Sequence, residues 1–245
     1  MTGGPARAPR LLFAALVAPG QTAAAAAARP APGVLALALV LLLALAGALT
    51  LPPVIRAFDL AFAGGEADLV GPLAAMRTGI LRLLTLERVL PSPTPCIAAV
   101  MVSLAAEPVL SLPRDRRRAI AAVAVLGLAP LLVERSADLL LAHVLADVQP
   151  GVPGEALGLA SRFVTGPLLL WRDARAAPAW LETLDARCNL VLLWCVALWA
   201  TGLRVLDDRP IAVWHVGLPL TCLAGAGVVT WVLGPTVLGM ILGVP

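Results

Sequence analysis

Apolar positions fall into long runs separated by short charged stretches, and the lengths of those runs predict the elements. Residues 33–54 form 22 consecutive positions without a charge, between Arg29 and Arg56. About 20 apolar residues cover the hydrocarbon core of a bilayer, so this run predicts a first membrane span. Residues 188–206 predict another, with Trp194 and Trp199 inside it and Arg204 near enough its end to snorkel. Residues 96–112 make a shorter run containing Glu107, and residues 211–233 make one whose single ionisable group is His215. The run 119–133 is uncharged for only 15 residues, about 22 Å of helix. It predicts a helix that continues through Glu134, Arg135 and Asp138, giving a span over 119–142, with Arg135 and Asp138 paired on one face at i, i+3. The expectation is therefore an all-α, polytopic membrane protein with five spans: 33–54, 96–112, 119–142, 188–206 and 211–233.

Other stretches predict helices that lie along the membrane plane. Residues 1–32 predict a cytoplasmic or interfacial N-terminal region that precedes a five-helix membrane domain over 33–245. Within it, a short helix over 10–17 is followed by an alanine-rich helix from about Gln21, with Arg29 near its C-terminus. Residues 66–90 place Leu69, Leu73, Met76, Ile80, Leu83 and Leu84 at helical spacing among Arg77, Arg82, Glu87 and Arg88, an amphipathic pattern. Residues 154–185 interleave charges with Phe163, Trp171 and Trp180, and Trp is an expected anchor at headgroup depth. A cleaved signal peptide is the rival reading of residues 1–28, but Pro19, Gly20 and Gln21 interrupt its apolar stretch after eight residues.

Composition agrees: 60% of the 245 residues are hydrophobic and 13% charged, where soluble domains carry about 25% charged residues. All 18 basic residues are arginine, and their placement orients the chain. Arg7, Arg10 and Arg29 precede the first span with no acid among them, and residues 114–118 read Arg-Asp-Arg-Arg-Arg. Five spans with a cytoplasmic N-terminus put both segments on the cytoplasmic side, as the positive-inside rule requires. The loop over 56–95, with four arginines and four acids, then faces outward. So does the segment 134–187, where acids outnumber arginines seven to five. The net charge of +3 is thereby explained without nucleic acid, for which there is no basic stripe interleaved with aromatics.

Landmarks in the apolar segments resemble a known family. The N-terminus reads LVAPGQT at 16–22, then the alanine run, then Arg29 and Pro30, then the first span. Leu184 and Asp185 lead into Leu193 and Trp194, then LWATGL at 198–203, a polar turn DDRP at 207–210, and the last span. Over residues 10–55 and 160–233 the chain resembles bacterial members of the Yip domain family. That resemblance implies five spans with a cytoplasmic N-terminus and implies no reaction. Eukaryotic relatives are linked to vesicle trafficking and small GTPases, a role that does not transfer to a bacterial-looking chain.

Ionisable groups inside apolar spans are the candidate functional residues, because polar groups in lipid cost free energy. Glu107 precedes Pro108, which frees a carbonyl one turn earlier, and a carboxylate at such a kink can bind a proton or cation. Alternatively it lies at the interface, within reach of the arginines at 114–118. His215 is either a pH sensor or relay or an interfacial residue bonded to a neighbouring helix. Glu107, Arg135, Asp138 and His215 together form the candidate intramembrane polar site. Gly217, Thr221 and Gly225 recur every fourth residue and form a candidate helix-packing stripe, as do Ala44 with Ala48 and Ala197 with Thr201.

No catalytic motif, cofactor or metal site is expected. Two histidines without acids or thiols at ligand spacing do not make a zinc site. Cys96, Cys188, Cys195 and Cys222 read as small apolar residues. His-Glu-x-x-His, Gly-x-Ser-x-Gly, Walker A and Gly-x-Gly-x-x-Gly motifs do not occur. The expected partners are the lipid bilayer and other membrane proteins or a second copy. The functional expectation is a non-enzymatic Yip-like protein acting by helix association, as a scaffold, assembly factor or export or trafficking companion. The alternative is a channel or transporter whose path is lined by the four ionisable residues. An intramembrane enzyme would need polar groups converging in a pocket.

Overall fold

A computed structural model describes residues 7–63, 85–86, 88–90, 92–148, 189–207 and 213–242, and every regular element among them is helical. The helices are α1 (Arg7–Val17), α2 (Pro19–Ala28), α3 (Pro32–Ala63), α4 (Pro93–Leu110), α5 (Arg117–Leu126), α6 (Pro130–Val148), α7 (Leu190–Asp207) and α8 (Val213–Leu242), with a 3-10 turn at Arg114–Arg116. Five segments are long and apolar enough to cross a membrane: Pro32–Arg56, Pro93–Leu110, Arg114–Val144, Leu190–Asp207 and Val213–Leu233. Large apolar side chains cover their outer faces, with Leu104 72% exposed and Trp231 65% exposed. Water would penalise such a surface, whereas lipid solvates it. The chain is an all-α, multi-pass membrane protein.

Prolines set several boundaries. Pro32, Pro93 and Pro130 open helices at the position where a missing N–H costs nothing. Pro52 and Pro53 lie inside α3, where they cannot donate to the carbonyls of Ala48 and Leu49. Helix α4 ends at Leu110, two residues short of the expected limit, because Ser111 turns left-handed (φ 53°). Its amide and that of Leu112 both donate to the Glu107 carbonyl, the latter at 3.0 Å, and Pro113 forbids continuation. Helix α8 runs nine residues past the expected end at 233.

The third span differs from the single helix expected over 119–142. Helix α5 stops at Leu126 and α6 starts at Pro130. Between them the amides of Leu128, Ala129 and Leu131 bond carbonyls three residues back, each at 3.0 Å. Pro130 has no N–H to give, and its ring opposes the carbonyl four residues earlier. The helix therefore tightens into a 3-10 turn before restarting.

The chain divides into two compact units: Met1–Leu39 with Ser92–Leu131 and Val164–Pro245, and Val40–Pro91 with Leu132–Phe163. In the first, α4 packs on α8 and α5, α7 packs on α8, α5 and α2, and α1 and α2 pack on each other and on α5. The N-terminal helices thus bury Leu12, Ala15, Ala23 and Ala26 in this unit. In the second, Leu43, Thr50 and Val54 of α3 and Asp138 and Ala142 of α6 are buried, as is Arg88. The amphipathic stretch expected over 154–185 lies outside the described residues, as does that over 66–90 except for 85, 86 and 88–90.

Candidate functional site

Charged side chains of the first unit gather where helices end. Glu107 sits in the last turn of α4, and the turn after it carries Arg114, Asp115, Arg116 and Arg117. Arg117 meets the Glu107 carboxylate with both arms of its fork: Nη2 donates to Oε1 at 3.0 Å and Nε donates to Oε2. Arg114 Nε lies 3.6 Å from Oε1. A planar guanidinium matches a carboxylate in this two-point geometry, which a lysine cannot reproduce. The α4–α5 hairpin is thereby closed by an ion pair.

The α7–α8 hairpin is closed in a similar way. His215 Nε2 lies 3.1 Å from Asp207 Oδ2, and both side chains are buried. Arg116 Nη1 donates to the carbonyl of Leu206, joining one hairpin to the other. A cation on the last carbonyls of a helix also favours its dipole.

Residues of the second unit form a separate cluster. Asp138 Oδ2 lies 3.6 Å from Arg135 Nη1 and 3.8 Å from Arg88 Nη1. Arg135 Nη2 also donates to the carbonyl of Leu90 at 3.1 Å. Arg88 is 2% exposed and Asp138 6%. The i, i+3 pair on α6 thus acquires a third member from a segment almost 50 residues earlier. The four expected polar residues fall into three arrangements: Glu107 with Arg117 and Arg114, His215 with Asp207, and Arg135 with Asp138 and Arg88.

The small-residue stripe on α8 divides. A Cβ on Gly225 would stand 3.0 Å from Met101 Cε, so this glycine seats α4. A Cβ on Gly217 would meet nothing within 4 Å, and Thr221 is exposed with its hydroxyl donating to the Gly217 carbonyl at 2.8 Å. Closer approaches occur at glycines outside any stripe. A Cβ on Gly47 would collide with the carbonyl of Arg88, one on Gly202 with Val123, and one on Gly127 with the Trp199 indole. Trp199 is fully buried and donates its indole N–H to the Ala124 carbonyl at 2.8 Å. The tight turn sends the Leu128 amide to Val125 instead of Ala124, so the indole serves an acceptor that the turn has released.

Among the described residues no group of three or more His, Cys, Asp or Glu side chains can hold a metal, and Cys96 and Cys222 are free thiols. The crevice beside Gly127 and Gly202, lined also by Ala15, Ala23 and Leu198, leaves about 10 Å³, at most the space of one water. Comparison with protein-family models, curated proteins and solved structures returns no match.

Proposed function

We propose that the protein is a non-enzymatic, Yip-like component of the bacterial inner membrane, with a cytoplasmic N-terminus, that works by lateral helix association. Its partner is another membrane protein, a second copy included. The observation that carries this reading is the outward face of α8. No described residue of another helix lies within 4 Å of a Cβ at Gly217, and Thr221 beside it is exposed with its hydroxyl already satisfied. Small residues at i, i+4 let a second backbone approach closely, which drives packing where no hydrophobic effect acts between helices.

Gly217→Leu with Thr221→Leu tests it, read by cross-linking in native membranes and by co-purification in mild detergent. The expected outcome is loss of the cross-linked species with helix content and melting unchanged. A wild-type chain that extracts only as a monomer, with no cross-linked species, would sink the reading. Orientation has its own test. A cysteine placed in the 114–118 turn is expected to resist a membrane-impermeant thiol reagent in intact cells, and labelling there would reverse the topology.

The cluster of Arg135 with the buried Arg88 and Asp138 favours a second reading, a channel or transporter, since ionisable groups at membrane depth commonly mark ion pathways. Ion flux through the wild type in proteoliposomes would support transport. Its absence from the wild type would remove that reading.

A further inference from the structure

The joined hairpin ends of the first unit carry more arginine than their own carboxylates neutralise. Arg114, Arg116, Arg117, Arg118 and Arg204 stand at this end with only Glu107, Asp115 and Asp207 among the described acids. Glu107 is engaged by Arg117 and Asp207 by His215. Arg118 and Arg204 are exposed and make no ion pair among the described residues, and the Arg114 side chain is 88% exposed.

The depth of this cluster is marked by its neighbours. Leu104 and Val109 of α4 and Val213 of α8 are exposed and apolar, so lipid-facing surface runs up to the turn. Trp214, 65% exposed in the first turn of α8, stands at the same end because His215 beside it holds Asp207 of α7. Exposed Trp next to an apolar belt marks headgroup level. Cationic forks at that depth meet phosphate oxygens before they meet any soluble anion.

We propose that this end of the first unit binds the phosphate of an anionic phospholipid, through Arg118 and Arg204 together with Arg114. The arginines supply two-point donors to the phosphate, while the exposed apolar residues on α4 and α8 lie alongside its acyl chains. A basic residue near an anionic surface is worth about fivefold in affinity, so losing both unpaired arginines is expected to cost about 25-fold.

Native mass spectrometry of the full chain in detergent, titrated with phosphatidylglycerol or phosphatidylcholine, tests the proposal. The wild type is expected to retain phosphatidylglycerol in preference to phosphatidylcholine. Arg118→Gln with Arg204→Gln is expected to weaken phosphatidylglycerol binding about 25-fold and leave phosphatidylcholine unchanged. Arg118→Lys with Arg204→Lys keeps the charge but not the two-point geometry, serves as the control for folding, and is expected to bind phosphatidylglycerol more tightly than the glutamine variant and less tightly than the wild type. Arg56→Gln, an exposed arginine of the other unit, is expected to have no effect. Equal retention of the two lipids, an unchanged glutamine variant, or an equal loss on Arg56→Gln would overturn the proposal. Displacement of the lipid by inorganic phosphate at comparable concentration would assign the site to free phosphate instead, and would overturn the lipid assignment.

Discussion

Substituting Gly127 by alanine sets backbone propensity against packing. Alanine is favoured over glycine by at most about 1 kcal/mol in helical backbone, and Gly127 has φ −63° and ψ −14°, so nothing in its conformation excludes a side chain. The opposition comes from Trp199, whose Cδ1 and Nε1 occupy the space a methyl group needs. That indole is fully buried and tied to the Ala124 carbonyl, so it cannot retreat without losing contacts and its hydrogen bond. Overpacking of this kind costs about 1–3 kcal/mol, and a lost hydrogen bond adds roughly 0.5–1.5 kcal/mol. Gly127→Ala is therefore expected to destabilise the protein by about 2 kcal/mol net. In a Trp199→Leu background the collision is gone, and the same substitution is expected to be neutral or to stabilise by up to about 1 kcal/mol. The measurement is unfolding by SDS in mixed micelles, followed by far-ultraviolet circular dichroism so that loss of Trp199 does not alter the signal. The four-variant cycle is expected to give a coupling of about 2–3 kcal/mol. Gly127→Ala stabilising equally in both backgrounds would refute the packing argument.

Ser111→Gly removes the penalty of a left-handed serine and is expected to raise stability by about 0.5–1 kcal/mol in the same assay. Asp138→Asn takes the carboxylate from between the Arg135 guanidinium and the buried Arg88 guanidinium and is expected to cost about 3–5 kcal/mol, read as reduced yield of folded protein and a lower SDS midpoint. Gly47→Ala forces a methyl against the Arg88 carbonyl. Because backbone cannot rotate away as a side chain does, the loss is expected at or above the upper end of the roughly 1–3 kcal/mol overpacking range, with protease sensitivity rising near residue 88.

The five apolar helices were legible because uncharged length is nearly all that a bilayer demands of a span. The pairing of Arg135 with Asp138 was legible too, since both partners lie on one helix and their spacing is the geometry. The arrival of Arg88 was not, because nothing local records which distant segment will pack over α6. The stripe of Gly217, Thr221 and Gly225 shows a limit of periodicity. It identifies a face of small residues but not what covers it, and only Gly225 meets another helix, at Met101. The tightest approaches fall at Gly47, Gly127 and Gly202, isolated glycines whose importance comes from the partner: a carbonyl, an indole and a valine. Pro130 was visible as a residue, but the expected span ran through it. The tight turn that replaces continuous helix is fixed by the amides of Leu128, Ala129 and Leu131, which no apolar count registers.

The two side-chain closures at the hairpin ends bear on how the chain enters a membrane. Glu107 finds Arg117 only ten residues away, and Asp207 finds His215 after eight. Contacts so local form quickly, with little loop-closure entropy, and need no distant helix to be present. Each carboxylate can therefore be matched at the end of its own helix as soon as its hairpin is complete, without waiting for the rest of the bundle. The bond from Arg116 to Leu206 spans 90 residues and can form only after α7 has been synthesised. The order of synthesis thus gives two hairpins, each closed by its own side-chain contact, followed by a docking step that joins them.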